Sequence, residues 1–65
     1  MKERDSLMGF TVIVTNFGGN ISSHNFFNKS KAMKLAQVLV EAGSIKAVVV
    51  IDDIANKVVF DFVRP

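Results

Sequence analysis

Two serines and a histidine stand side by side in this 65-residue chain, at Ser22, Ser23 and His24. A serine nucleophile needs a base within hydrogen-bonding reach, and histidine most often fills that role. Adjacent residues of a strand point to opposite faces, so a strand here separates Ser23 from His24. Ser22 shares the face of His24, but no acidic residue nearby completes the set. We therefore expect no catalytic residue and no enzyme activity, and interpret His24 as an ordinary strand residue.

Three aspartates, Asp52, Asp53 and Asp61, are the remaining candidate ligands for a cation. Asp is also favoured where a hairpin loop begins, because its carboxylate accepts hydrogen bonds from turn amides. The chain has no cysteine, and a single histidine cannot build a metal centre. The pattern predicts turn chemistry, with no metal and no cofactor.

Two glycines, Gly18 and Gly19, follow the first apolar segment. A phosphate-binding loop needs a longer glycine spacing that leads straight into a helix, and here the helical pattern begins about ten residues later. The two glycines instead suit a tight hairpin turn, where positive φ angles are needed.

Lysines surround the predicted start of the helix, at Lys29, Lys31 and Lys34, and Lys46 follows further along the chain. A helix N-terminus flanked by cations can hold a phosphate group, so these four residues make nucleic-acid binding the alternative function. The net charge of +2 is low for a protein dedicated to coating DNA. Simple solubility is the favoured explanation of the lysines.

The length of the chain allows one small domain, which we place at residues 9–65 after a flexible tail at residues 1–8. A domain of this size buries only about 60% of its unfolded surface, so an additional source of stability is expected. Without cysteines, oligomerisation or a bound partner is the remaining source, with very efficient packing as the alternative. No apolar run approaches the about 20 residues that cross a bilayer, which predicts a cytoplasmic protein without membrane contact.

The order of predicted elements is β-β-α-β-β, an α+β fold with a four-stranded, mainly antiparallel sheet and one helix on one face. Segments rich in β-branched and aromatic residues predict the strands at residues 10–15, 21–27, 45–52 and 57–63. The second of these alternates poorly, which is typical of an edge strand. Apolar residues at helical spacing predict a helix over residues 31–42, with Ser30 or Asn28 as the N-cap and Gly43 beyond its end.

A four-residue loop at residues 53–56 sets a predicted register for the last two strands. Regular pairing joins three apolar pairs on one face: Ile51–Val58, Val49–Phe60 and Ala47–Phe62. The opposite face then contains the charge pair Asp52–Lys57. We expect the first set to form the core beneath the helix, together with Phe10, Val12 and Val14.

This register predicts an apolar surface on the side of the sheet away from the helix. Its members are Ile13, Val48, Val50, Val59 and Val63. A solvated sheet face is normally polar, so a cluster of β-branched residues there indicates a covered surface. The alternative is that strand preference alone placed these residues there. The predicted function is a small non-enzymatic protein-binding module that self-associates, with a dimer as the expected size, or docks to a larger protein through this face or an edge strand. In size and layout it is similar to small regulatory or inhibitory modules, including some encoded by bacteriophages.

Overall fold

A computed structural model of the protein describes residues 9–65, and the tail predicted at residues 1–8 lies outside this range. The elements follow the predicted order and confirm the α+β fold. They are β1 (Phe10–Asn16), β2 (Ile21–Phe26), α1 (Lys29–Ala42), β3 (Ile45–Asp52) and β4 (Lys57–Val63). All neighbouring strands are antiparallel, and their order across the sheet is β2-β1-β3-β4. β2 is therefore an edge strand, as predicted, and β4 is the other edge.

The first hairpin closes with the turn that its glycines predict. The backbone N–H of Gly19 donates to the carbonyl oxygen of Asn16 at 3.0 Å, and Gly19 has a φ of 91°. A residue with a side chain is strained at such a φ, whereas glycine adopts it freely. The side-chain oxygen of Asn16 also accepts hydrogen bonds from the backbone N–H groups of Gly18 and Asn20. The turn thereby fixes how β1 and β2 pair.

The helix begins at Lys29, two residues earlier than Ser30 as the N-cap would place it. Asn28 is the N-cap, with an extended backbone, and its side chain makes no capping hydrogen bond. The alternative N-cap is thus the correct one. At the other end, Gly43 has a φ of 72°, and its N–H bonds to the carbonyl oxygens of Leu39 and Val40. This confirms the predicted glycine-terminated end.

The core lies between α1 and one face of the sheet, called here the inner face. The buried residues are Val12, Val14, Ala32, Ala36, Ile45, Val48 and Val50. The helix contributes two alanines one turn apart, and their small side chains allow it to approach the sheet closely. It packs mainly on β3 and β1, less on β2 and least on β4. The placement of Val12 and Val14 in the core is as predicted.

A bulge in β4 changes the predicted register of the second hairpin. The predicted pairs nearest the loop form: Asp52–Lys57 and Ile51–Val58. Val59 is then an extra residue with no partner of its own in β3, as in a β-bulge. Beyond it the predicted pairs are wrong, and the observed pairs are Val50–Phe60, Val49–Asp61, Val48–Phe62 and Ala47–Val63.

This shift overturns the predicted location of three of the five predicted surface residues. Val48 and Val50 were expected on the outside of the sheet, but both are 0% exposed beneath the helix. The physical reason is that the sheet alternates sides at every residue, so one extra residue in β4 exchanges the faces of its partners in β3. Val59 itself packs against the core and also leaves the predicted surface. Phe60 and Phe62 lie on the inner face, as expected.

Candidate protein-binding surface

The side of the sheet away from α1 is called here the outer sheet face. Its positions follow from the pairing registers, because directly opposed residues share a face. The central strands contribute Thr11, Ile13, Thr15, Ala47, Val49 and Ile51. The edge strands contribute Ile21, Ser23, Asn25, Val58, Asp61 and Val63. No helix or strand within residues 9–65 packs on this side.

Seven of these twelve residues are apolar and form the outer apolar patch. They are Ile13, Ile21, Ala47, Val49, Ile51, Val58 and Val63. The residues of the central strands are half-buried because their neighbours shield them, whereas the edge residues Ile21 and Val63 are 68% and 66% exposed. Asp61, opposite Val49, is the only charged side chain among the twelve. A surface this low in charge loses little on desolvation and gains from apolar burial.

The middle of the patch is formed where the two central strands meet. Ile13 lies opposite Val49 on one side and opposite Ser23 on the other. Both apolar residues are β-branched, and such residues pack well against cross-strand neighbours on a pleated surface. Local preference for strand therefore favours these residue types on either face, which explains how an apolar face forms without an intramolecular partner.

A polar network limits the patch at one end. The hydroxyl of Thr11 donates to Asp53 Oδ2 at 2.6 Å, and Asn25 Nδ2 donates to Thr11 Oγ1 at 2.9 Å. These two hydrogen bonds tie β2, β1 and the loop after β3 together. Because the polar groups satisfy one another, the end of the outer sheet face is held in a fixed shape.

The structure places two of the five predicted interface residues on the outer sheet face. Ile13 lies at its centre and Val63 at its edge, whereas Val48, Val50 and Val59 contact the core. The expected surface exists, but β3 presents other residues there. These are Ala47, Val49 and Ile51, which the regular register assigned to the core.

The structure does not bring either serine within hydrogen-bonding reach of His24 in the way that a nucleophile and its base require. Ser23 lies opposite Ile13 and His24 opposite Val12, so the two occupy opposite faces. Ser22 and His24 share a face but are two strand residues apart, about 6.7 Å along the backbone. Each is exposed.

The aspartates at the second loop hold that loop together. Asp52 Oδ1 accepts hydrogen bonds from the backbone N–H groups of Ile54 and Ala55 at 3.1 and 3.0 Å. Asp53 accepts from Thr11, as described above. Residues 9–65 contain no group of three or more His, Cys, Asp or Glu side chains placed to hold a metal ion. The predicted turn chemistry is therefore present.

The four lysines of the alternative site are exposed but are not grouped. Lys31 and Lys34 share one side of α1, whereas Lys29 lies about 200° around the helix from Lys31. Lys46 follows the far end of α1, and a helix of 14 residues is about 21 Å long. The four lysines therefore do not share one side of the helix, and nucleic-acid binding through them stays a prediction.

Arg64 closes the inner face at β4, where the helix packs least. Its Nη2 donates to the carbonyl oxygen of Val40 at 3.1 Å, and its Nε donates to the carbonyl oxygen of Ile45 at 3.2 Å. The guanidinium carbon also lies 5.2 Å from the centre of the Phe62 ring, within reach of a cation–π interaction. One side chain thus joins the end of β4 to the end of the helix, a role that sequence reasoning missed.

Comparison with known proteins adds no relative. No family model, no curated protein and no solved structure matches this chain. Within residues 9–65, no helix combines the length and apolar character required to cross a membrane.

Proposed function

We propose that this chain is a non-enzymatic protein-binding module that self-associates through its outer sheet face. The observation that carries the proposal is the outer apolar patch, which spans all four strands and has no covering element within residues 9–65. A sheet normally exposes an apolar face only where another layer packs on it. The occupant we assign is a second copy of the chain, packed face to face.

Self-packing is supported by the charge pattern of the outer sheet face. Among the twelve paired positions the one charged side chain, Asp61, lies on the edge strand β4, and the other nearby charges, Lys46 and Asp53, lie at or just beyond the ends of β3. Two copies can therefore meet with the middle of their central strands in apolar contact. Sheets that stack in this way cross at about 30° and bury alternate residues of each strand. Ile13, Val49 and Ile51 would then lie at the centre of the interface.

The test compares two variants that carry the same substitution on different surfaces. Val49→Lys introduces a charge at the centre of the outer sheet face. Val38→Lys is the matched control, because Val38 is 52% exposed on the helix. Light scattering over a range of concentrations measures the mass of each chain, with circular dichroism confirming that both fold.

The wild-type chain and Val38→Lys are expected to exceed the monomer mass of 7.1 kDa and to dissociate on dilution. Val49→Lys is expected to lose the face-to-face contact, because a buried unpaired lysine is strongly unfavourable. If the wild-type chain is monomeric at millimolar concentration, or if both variants assemble equally, the outer sheet face is not a self-association surface.

A further inference from the structure

The edge strand β2 lacks the features by which natural sheets protect an open edge. Its six residues include no proline and no charged side chain, and its register with β1 is unbroken along its whole length. Open edges are usually protected by lysine, proline, a bulge or a covering element. No other strand within residues 9–65 pairs with the free side of β2. Such an edge is a template for a further strand.

The opposite edge, β4, is protected in two of these ways. It contains the bulge at Val59 and the charged side chains of Lys57 and Asp61. The bulge makes the spacing of its outward backbone groups uneven, so a regular strand cannot bond to all of them. The two edges of the sheet therefore differ, and β2 is the one suited to pairing.

The hydrogen bonds of the first hairpin show which groups of β2 face outward. The N–H of Asn16 donates to the carbonyl oxygen of Asn20 at 3.0 Å. Hydrogen-bonded and non-bonded pairs alternate along an antiparallel ladder. The residues of β2 that bond to β1 are therefore Ser22, His24 and Phe26. The residues whose N–H and C=O groups point to the free edge are Ile21, Ser23 and Asn25.

We infer that β2 pairs antiparallel with β2 of a second copy, about a two-fold axis at Ser23. The outward groups are evenly spaced and symmetric about this residue. The axis therefore pairs Ser23 with Ser23 of the second copy, and Ile21 with Asn25 of the second copy. Every outward N–H then meets an outward C=O, which completes a regular ladder. No pair in this register opposes like charges.

The pairing also extends the proposed outer interface. A two-fold axis perpendicular to the sheet keeps both helices on one side, so the two outer sheet faces continue into one eight-stranded surface. One face measures about 19 by 23 Å, or about 440 Å², from standard strand spacings. Two monomers packed through their four-stranded outer sheet faces would bury about 900 Å² in total, below the roughly 1,200–2,000 Å² of stable interfaces. Two β2-paired dimers packed through their eight-stranded surfaces would bury about 1,800 Å².

The area comparison supports a second copy of the same chain as the partner. The expected assembly is a tetramer of two eight-stranded sheets packed through their outer sheet faces. The extension of the outer interface rests on the proposed function, but the β2 pairing itself does not, because its backbone groups are separate from the apolar patch.

A single cysteine tests the register, because the chain has none of its own. In a hydrogen-bonded antiparallel pair the Cα atoms are about 5.5 Å apart, within the range of a disulfide. Ser23→Cys is therefore expected to form a cross-linked dimer under mild oxidation. Asp61→Cys, on the protected edge, is the control and is expected to cross-link at least tenfold more slowly. Equal rates for the two variants would overturn the pairing.

Substitutions at the same residue separate the contribution of the backbone from that of the side chain. Ser23→Ala keeps the N–H group and is expected to assemble as the wild type does. Ser23→Pro removes the outward N–H without adding a charge to the outer sheet face, and is expected to reduce the assembly mass at least by half. Because Ser23 is exposed on an edge and its N–H does not bond to β1, both variants are expected to fold. Wild-type mass for Ser23→Pro would contradict the inference.

A double variant distinguishes failure of this edge from failure of the outer sheet face. Val49→Lys combined with Ser23→Cys is expected to retain the cross-link, because the edge ladder does not use the apolar patch. Loss of the cross-link in this folded double variant would show that β2 pairing depends on the outer apolar patch, contrary to the inference. If Ser23→Cys alone fails to cross-link while Val49→Lys still reduces the mass, the outer sheet face stands and the β2 pairing is wrong.

Discussion

Val49 and Val50 are neighbours of the same type in β3, yet Val50 is fully buried beneath the helix while Val49 lies on the outer sheet face. The inner face is covered by α1, which brings Ala32 and Ala36 close to the central strands. The outer sheet face has a similar apolar composition and no covering element within residues 9–65. Composition alone therefore does not identify the core of this sheet, because the helix and the bulge at Val59 determine which side is buried.

The largest expected effect contrasts lysine substitutions at these two neighbours. Val50→Lys places a charge in the core and is expected to unfold the monomer, since the stability of a chain this long is only about 3–10 kcal/mol. Val49→Lys is expected to cost less than about 1 kcal/mol, because a half-exposed lysine can extend its amine to solvent. Urea denaturation measures both. Equal loss of stability would mean that the faces are assigned incorrectly.

A deletion of Val59 sharpens the comparison at the bulge. Removing the extra residue leaves Val58 on the outer sheet face and Phe60 on the inner face, so we expect the chain to fold with a loss of about 1.5–3 kcal/mol from the missing core contact. If the strand were regular, the same deletion would reverse the face of every preceding residue in β4 and abolish folding. A thermal melt followed by circular dichroism distinguishes these results.

A smaller effect is expected at Arg64, which closes the inner face where the helix does not. Arg64→Ala removes its hydrogen bonds to the carbonyl oxygens of Val40 and Ile45 and its contact with Phe62. We expect a loss of about 1–2 kcal/mol in urea denaturation. Arg64→Lys keeps the charge but lacks the planar group that reaches both oxygens, so it is expected to restore only part of this loss. Full recovery with lysine would show that charge alone matters.

The smallest effect concerns the lysines of the helix start. Lys31→Glu exchanges a cation for an anion in the first turn and is expected to raise stability by about 0.3–1 kcal/mol at low salt. Lys34→Glu lies beyond the first turn and is expected to give less. Neither change should alter the assembly mass, because neither lysine lies on the outer sheet face. A fall in mass for either variant would implicate the helix surface in association.

The order of the elements was predictable because local signals determine it. Gly18 and Gly19 predict the first turn, the apolar spacing predicts the helix, and Gly43 predicts its end. The N-cap was less certain, since Asn28 and Ser30 are both suitable residue types. The pairing of β1 with β3 connects residues that are 29 to 42 positions apart in the chain, and no local pattern specifies it.

The faces of β3 were the part that sequence could not assign. Residues 47–51 are all apolar, so either alternate set could form the core. A regular register of the second hairpin places Val49 and Ile51 on the inner face. The bulge at Val59 places them on the outer sheet face instead. The run of three apolar residues Val58, Val59 and Phe60 was a weak signal for the bulge. A regular strand would place Val59 on the face opposite to Val58 and Phe60, which breaks the alternation expected of an amphipathic strand. The sequence therefore predicted that an apolar outer face exists, but of the five residues assigned to it only Ile13 and Val63 lie there.

Solvent paramagnetic relaxation of the valine methyl groups, measured by NMR over a dilution series, tests the central claim most directly. In the dilute chain we predict that a soluble paramagnetic probe broadens the Val49 methyls, while the methyls of Val48 and Val50 remain protected. As concentration rises, the Val49 methyls should become protected as well, because a second copy covers the outer sheet face. Broadening of the Val49 methyls that stays unchanged up to millimolar concentration would contradict the claim.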